Sequence, residues 1–186
     1  DKDPLLRLRM IREAGELRIP FTTGILLGIG ENDGERVASL RAIADIQRQL
    51  GHIQEIIVQN FRAKPSTRMA GRAEPESYET AQCVAVARLM MPEMNIQVPP
   101  NLNPYDTALL LDAGINDWGG ISPLTLDYVN PEAPWPQIDS LARACAARGH
   151  ALRPRLPVYS EYCGDEFIDA GLRAPVARSL ARAAAT

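Results

Sequence analysis

The stretch TTGILLGIGE, Thr22 to Glu31, is an apolar run that ends in glycines and then a glutamate. Gly28, Gly30 and Gly34 give a G-x-G-x3-G spacing, close to the loop by which a strand-to-helix turn holds a dinucleotide pyrophosphate. Two features oppose that use. Glu31 would set a carboxylate beside the pyrophosphate, and the following strand ends in Gln59 and Asn60 rather than in the acid that holds a ribose. Two readings stay open. One is a plain glycine-rich turn, with Glu31 as an acid favourable to a helix N-terminus. The other is a turn that serves a different ligand.

Three later segments, VQNFRAKP, VPPNLNP and DWGGISPLTLDYVNPEAPWP, are unusually polar or conformationally special for chain leaving a buried strand. Gln59, Asn60 and Arg62 could hydrogen-bond a ligand, or simply begin an exposed loop. Pro99 and Pro100 set a rigid turn and leave Asn101 as a contact candidate. Asp117 and Trp118 precede a glycine pair, and Trp118 suits either the core or a platform for a flat aromatic ligand. Gly119, Gly120 and Ser122 suit a turn whose N–H groups approach a hydroxylated ligand. Cys83, Cys145 and Cys163 are too widely spaced for a C-x2-C or C-x3-C metal pattern, so this chain is expected to hold no metal and its thiols to be buried or incidental.

Strand and helix must alternate to place these residues. Leu5, Leu8 and Ile11 predict a helix over 4–18, begun at Asp3-Pro4, and Phe21 to Leu27 a buried strand. Asn32 or Asp33 caps a helix with a Val37, Leu40, Ile43, Ile46, Leu50 stripe that Gly51 ends. EIIVQNF is the second strand, a helix spans about Ser77 to Met91, and NIQVPPN is the third strand. Asn103-Pro104 starts another helix that stops at Gly114, INDWGGIS is the fourth strand, and PWPQIDSLARACAARG gives a last helix. The expected class is α/β, built of parallel (β/α) units, enough for half of a (β/α)8 TIM-type barrel or most of a doubly wound sheet. Residues 1–150 carry this rhythm, and 151–186 read as a peripheral extension or linker. In a barrel, chemistry gathers at the C-terminal strand ends, where VQNFRAKP, VPPNLNP and DWGGISPLTLDYVNPEAPWP lie.

The chain has 186 residues and a net charge of −3, with 18 scattered arginines, which gives no electrostatic footprint for nucleic acid. No apolar run is long enough to span a membrane and no secretory signal is evident, so the expectation is a cytoplasmic protein without membrane partners. The absence of an initiator Met and the immediate helix start suggest a piece of something longer.

Gly24-Ile-Leu-Leu-Gly28-Ile-Gly-Glu31 resembles the G-x-I-x-G-x-x-E motif of radical S-adenosylmethionine (SAM) enzymes, with Leu26 where Ile is usual. HIQEIIVQNFRAKP, PPNL and DWGGISPLTLDYVNPEAPWP resemble the radical SAM domain of the FO synthase family, over about residues 1–150. The last block points to the cyclising half of that synthase. The resemblance implies the C-terminal half of a radical SAM barrel, with Thr23, Gly24, Leu26, Gly28, Glu31, Gln59 and Asn60 on the SAM side. Arg62, Asn101, Asp117, Trp118, Gly119, Gly120 and Ser122 become substrate-side candidates. It also implies a 4Fe–4S cluster that cleaves SAM to a 5′-deoxyadenosyl radical. A tyrosine-derived adduct of 5-amino-6-ribitylaminouracil would then cyclise, with loss of ammonia, to the deazaflavin FO of coenzyme F420.

The family holds its cluster on a C-x3-C-x2-C loop that this chain lacks. The ligands are therefore expected in an N-terminal half of the barrel, with a sister FO synthase domain as a further partner, and the chain alone is expected to be inactive. Three other readings remain. The sister tyrosine-joining half or a biotin-synthase-like enzyme would keep the fold and change the substrate, although the DWGGISPLT block argues against them. A non-radical phosphate-binding barrel would explain the glycines after Trp118 but not Glu31. A half barrel could also be only a folding fragment, self-associating through its exposed strand edges.

Overall fold

The Asp3 carboxylate accepts the Leu5 N–H at 2.9 Å and Pro4 fills the first turn, so helix α1 (Pro4–Glu16) begins where its free N–H groups are met. A computed structural model describes residues 3–184. Strand β1 (Phe21–Leu27) follows. Helix α2 (Asp33–Leu50) opens on a reciprocal Asn32/Glu35 capping box and closes at Gly51, whose φ of 66° is left-handed. Next come β2 (Ile53–Asn60), α3 (Ser77–Met90), β3 (Asn95–Gln97), α4 (Thr107–Ala113) and α5 (Ile138–Ala146). A 3-10 turn (Ser160–Tyr162) and α6 (Ala170–Ala184) complete the chain.

The strands form a parallel three-stranded sheet in the order β1-β2-β3, with Gly24 opposite Ile57, Leu26 opposite Gln59, and Ile57 opposite Gln97. Alternation sorts the side chains into two faces. Leu27, Ile56, Val58 and Ile96 join Leu40, Ile43 and Ile46 of α2 and Val84 and Ala87 of α3 in one apolar core. Gly24, Leu26, Glu55, Ile57, Gln59 and Gln97 share the other face, called inner here. At the foot of the core the buried His52 donates from Nε2 to the Ile11 carbonyl at 2.8 Å, pinning α1 to the start of β2.

Three sequence expectations are corrected. The third strand stops at Gln97 because Pro99 and Pro100 have no N–H to offer a ladder. The helix expected from Asn103 begins at Thr107, since the Asn103 amide is drawn inward to Asn60 Oδ1 and the Pro99 carbonyl, both at 2.9 Å, instead of capping a helix. The fourth strand is only a single bridge, Gln97 to Asp117. Asn116 puts its side chain into the ladder, its Oδ1 accepting the Ile96 N–H at 2.8 Å. Asp117 Oδ1 then takes the Gly119 N–H at 2.6 Å, and Gly119, at φ 71°, turns the chain away. Among the described residues no helix is long and apolar enough to cross a membrane.

Gly24 lies against the backbone of β2, and a Cβ there would lie 2.0 Å from the Ile57 carbonyl oxygen. Gly24→Ala is therefore expected to cost more than about 2 kcal/mol, because backbone on both strands must move to admit one methyl group. Urea unfolding of the variant against the parent measures this, and an unchanged midpoint would refute the close approach.

Candidate functional site

Glu31 folds the turn after β1 around its own side chain. Its carboxylate accepts the N–H groups of Gly28 at 2.8 Å, Ile29 at 2.9 Å and Gly30 at 3.1 Å, and Arg36 Nε at 2.9 Å. Gly28 and Gly30 take φ values of 88° and 120°, which the turn needs and side chains disfavour. Burial pushes the Glu31 carboxyl up, but the backbone donors and Arg36 outweigh it and hold the group at about 2. Arg36 also pairs with Glu79 of α3 at 3.4 Å, so the turn is fastened to two helices.

The loop between β2 and α3 lies across this turn. Phe61 N–H donates to the Leu27 carbonyl at 2.8 Å, Arg72 Nε to the Gly28 carbonyl at 3.2 Å, and Pro75 packs where a Gly28 side chain would stand. Glu74 secures the loop from within, accepting the Ala63 N–H at 2.9 Å and Arg62 Nη1 at 2.7 Å. Leu26 and Ile29 are left 40% and 47% exposed beside the turn. A cavity of about 220 Å³, lined by Ile25, Leu26, Leu27, Ile29, Glu31 and Ser39 among others, opens there, beside the edge strand β1. Alternation puts Thr23 on the helix-facing side, away from Gly24 and Leu26.

At the end of β2 the two polar candidates part. Gln59 stays on the inner face with Leu26 and no hydrogen bond engages its amide among the described residues. Asn60 is buried and spent on structure, donating to the Leu102 carbonyl at 3.3 Å and accepting from Asn103 at 2.9 Å. Arg62 also donates to the Leu102 carbonyl. Asn101 is 2% exposed, and its amide nitrogen donates to Asp127 Oδ2 at 2.9 Å and the Ala133 carbonyl at 3.3 Å. Among the described residues its Oδ1 is buried without a partner, as is Arg62 Nε.

In the last segment Trp118 lies in the core, its Nε1 directed at Cys145 Sγ at 3.4 Å. Gly119 presses on Gln97, where a Cβ would meet the amide at 2.1 Å, while Gly120 faces open space. The Ser122 hydroxyl accepts from Thr125 at 2.8 Å. Asp117 points to the inner face and is held by Arg155 Nε at 2.5 Å and the Tyr159 hydroxyl at 2.7 Å. Arg155, Tyr159 and Glu55 were not singled out from the sequence, and Asn103 only as a helix start. One signal was available for Glu55, because a carboxylate opening the run EIIV must find partners once that strand is buried.

Because the Glu31 carboxyl sits at about 2 against an ordinary 4.5, it stabilises the fold fully above pH 4.5 and loses that effect as pH falls toward 2. Glu31→Gln is expected to lower stability at pH 7 by up to about 3 kcal/mol, with the gap to the parent closing between pH 4.5 and about 2. Denaturation of both proteins across that range checks it, and a gap independent of pH would refute the assignment.

Against known proteins, this chain is 54% identical over 167 residues to the 7,8-didemethyl-8-hydroxy-5-deazariboflavin synthase of Methanothermobacter thermautotrophicus, covering 90% of this chain and 51% of that protein. It is 50% identical over 182 residues to the synthase of the same name from Methanoculleus marisnigri, covering 97% of this chain and 52% of that one. With the FO synthase of Streptomyces coelicolor it shares 51% identity over 180 residues, 95% of this chain but 21% of that longer protein. No family model matches the chain. No solved structure matches it. The chain spans about half the length of the 7,8-didemethyl-8-hydroxy-5-deazariboflavin synthases it matches, and over that span it is their homologue.

Proposed function

We propose that this chain forms the second half of a radical SAM (β/α)8 barrel and serves the cyclising step that yields the deazaflavin FO for coenzyme F420. The observation that carries the reading is the identity of 50–54% to proteins named for FO synthesis, over nine tenths of the chain or more. The folded G-x-L-x-G-x-x-E turn supports it.

The residues around that turn fit the adenosine end of SAM. The exposed Leu26 and Ile29 can pack on an adenine face, and the unengaged Gln59 amide can reach its edge. The N–H groups of Gly28, Ile29 and Gly30 are taken by Glu31, so recognition falls to side chains and carbonyls. When bound beside a reduced cluster, SAM supplies a 5′-deoxyadenosyl radical. The chain's own share is to orient the tyrosine-derived ribitylaminouracil adduct and to keep water out. Gly120, which faces open space, and Ser122 are suited to the ribityl hydroxyls.

The residues present do not fit the cluster. Burial pushes the Cys83 thiol up to about 11, Cys145 is also buried, and no group of three His, Cys, Asp or Glu among the described residues could hold a metal. Its ligands belong, on this reading, to a preceding half of the barrel. The free edge of β1 and the exposed Leu5, Leu6 and Met10 of α1 suit that neighbour.

Joined to or mixed with a polypeptide bearing a C-x3-C-x2-C loop, and supplied anaerobically with SAM, a reductant and the adduct, the chain is expected to form fluorescent FO. No FO under those conditions refutes the function. Leu26→Asp is expected to weaken SAM binding at least tenfold, about 1.4 kcal/mol, with an unchanged circular dichroism spectrum. Unaltered SAM affinity in that variant refutes the adenosine site alone.

A further inference from the structure

Below the candidate site, the inner face holds a charge cluster with more acids than bases. Glu55 of β2 and Asp117 have side chains 6% and 11% exposed, and Arg155 lies between them, Nη2 at 2.8 Å from Glu55 and Nε at 2.5 Å from Asp117. The guanidinium stacks 4.0 Å above the Tyr159 ring. The Tyr159 hydroxyl bridges the same two acids, 2.7 Å from Asp117 Oδ2 and 3.1 Å from Glu55 Oε1. From β1 the Thr22 hydroxyl reaches Glu55 Oε2 at 3.3 Å, and from β3 the Gln97 amide lies 3.0 Å from Glu55 Oε1. On the remaining side Gln54 holds the Tyr159 N–H at 3.1 Å, and Glu161, a further acid, lies 3.4 Å from Asn95.

Among the described residues Arg155 is the cation paired with both acids, so two ionised carboxylates would leave one negative charge uncompensated. The phenol makes the same point independently. A hydroxyl has one proton to give, and with both acids ionised it could serve Asp117 only, leaving its oxygen against an anionic Glu55 oxygen. A proton on Glu55 resolves both problems, because Tyr159 then donates to Asp117 and accepts from Glu55.

We infer that Glu55 is a neutral acid at pH 7, linked through the Tyr159 hydroxyl to an ionised Asp117, and that Arg155 and Tyr159 are the positioning residues that keep its proton there. The electrostatics run in the same direction for the two acids. Burial and then the Asp117 charge push Glu55 up against the pull of Arg155, Tyr159 and Thr22, while for Asp117 burial is outweighed by hydrogen bonds from Arg155, Tyr159 and the Gly119 N–H, which hold it down. Burial and the neighbouring acids push the Tyr159 phenol up, so it keeps its own proton. The segment after α5 thus completes the inner face, and the inference stands whatever reaction the upper strand ends perform.

Infrared spectroscopy of the intact chain with 13C-labelled glutamate tests it. The expected result at pH 7 is a label-sensitive band of an un-ionised carboxylic acid that Glu55→Gln removes and Tyr159→Phe shifts. No such band, or one that survives Glu55→Gln, overturns the neutral acid, and a band untouched by Tyr159→Phe overturns the role of that residue. Melting supplies a second readout: Glu55→Gln is expected within about 2 °C of the parent, and Asp117→Asn lower by more than about 5 °C. Equal losses in the two variants overturn the inference, and should Glu55→Gln fail to fold, the parent's labelled band and its Tyr159→Phe shift decide.

Discussion

The upper end of this sheet depends on one carboxylate taking the place of a ligand. Turns that present successive backbone N–H groups are anion sites, and here Glu31 supplies the anion from within the chain. Charge-assisted bonds of this kind are the stronger ones, and the geometry is shared onward. Arg36 carries it to α3 through Glu79, and Arg72 clips the following loop onto the Gly28 carbonyl. The path of the chain from β1 into α2, and the position of the loop above it, therefore rest on a residue that a motif alone would place in contact with a ligand. What the turn offers outward is apolar surface and carbonyl oxygen.

A similar economy governs the loops beyond. Asn60 and Asn103 are spent on each other and on carbonyls, which joins the ends of β2 and β3 by side chains where no ladder continues. Such buried amides are costly unless fully met, so they fix one loop arrangement. Against that background the unmet Oδ1 of Asn101 and Nε of Arg62 stand out, because they lie among groups that are otherwise paired.

Local signals carried most of the helices and the first strand. Asp3-Pro4, Asn32 and Gly51 mark helix ends through their own side chains or backbone freedom, and the structure uses each in that way. Phe21–Leu27 was legible from its run of β-branched and apolar residues. INDWGGIS misled because its pattern suits a strand, whereas Asn116 replaces a backbone partner with its amide, a substitution that periodicity does not register. The glycine turn was legible as special, but the identity of its anion was not, since a Glu facing outward and a Glu folded back have the same sequence. Arg155 and Tyr159 were invisible because their partners lie 100 residues or more away, or across the sheet, and no local rule links them.

That separation has a consequence for the order in which the protein is made. Glu55 and Arg155 are 100 residues apart, and Ile53 and Tyr162 are 109. At about 5 to 20 residues per second, β2 leaves the ribosome on the order of 5 to 20 s before the guanidinium that pairs with Glu55. During that interval β1, α2 and β2 can already assemble as a unit, their contacts closing far shorter loops. Glu55 meanwhile stays hydrated and ionised, so the nascent sheet keeps a charged, soluble inner face until the last segment arrives to cover it.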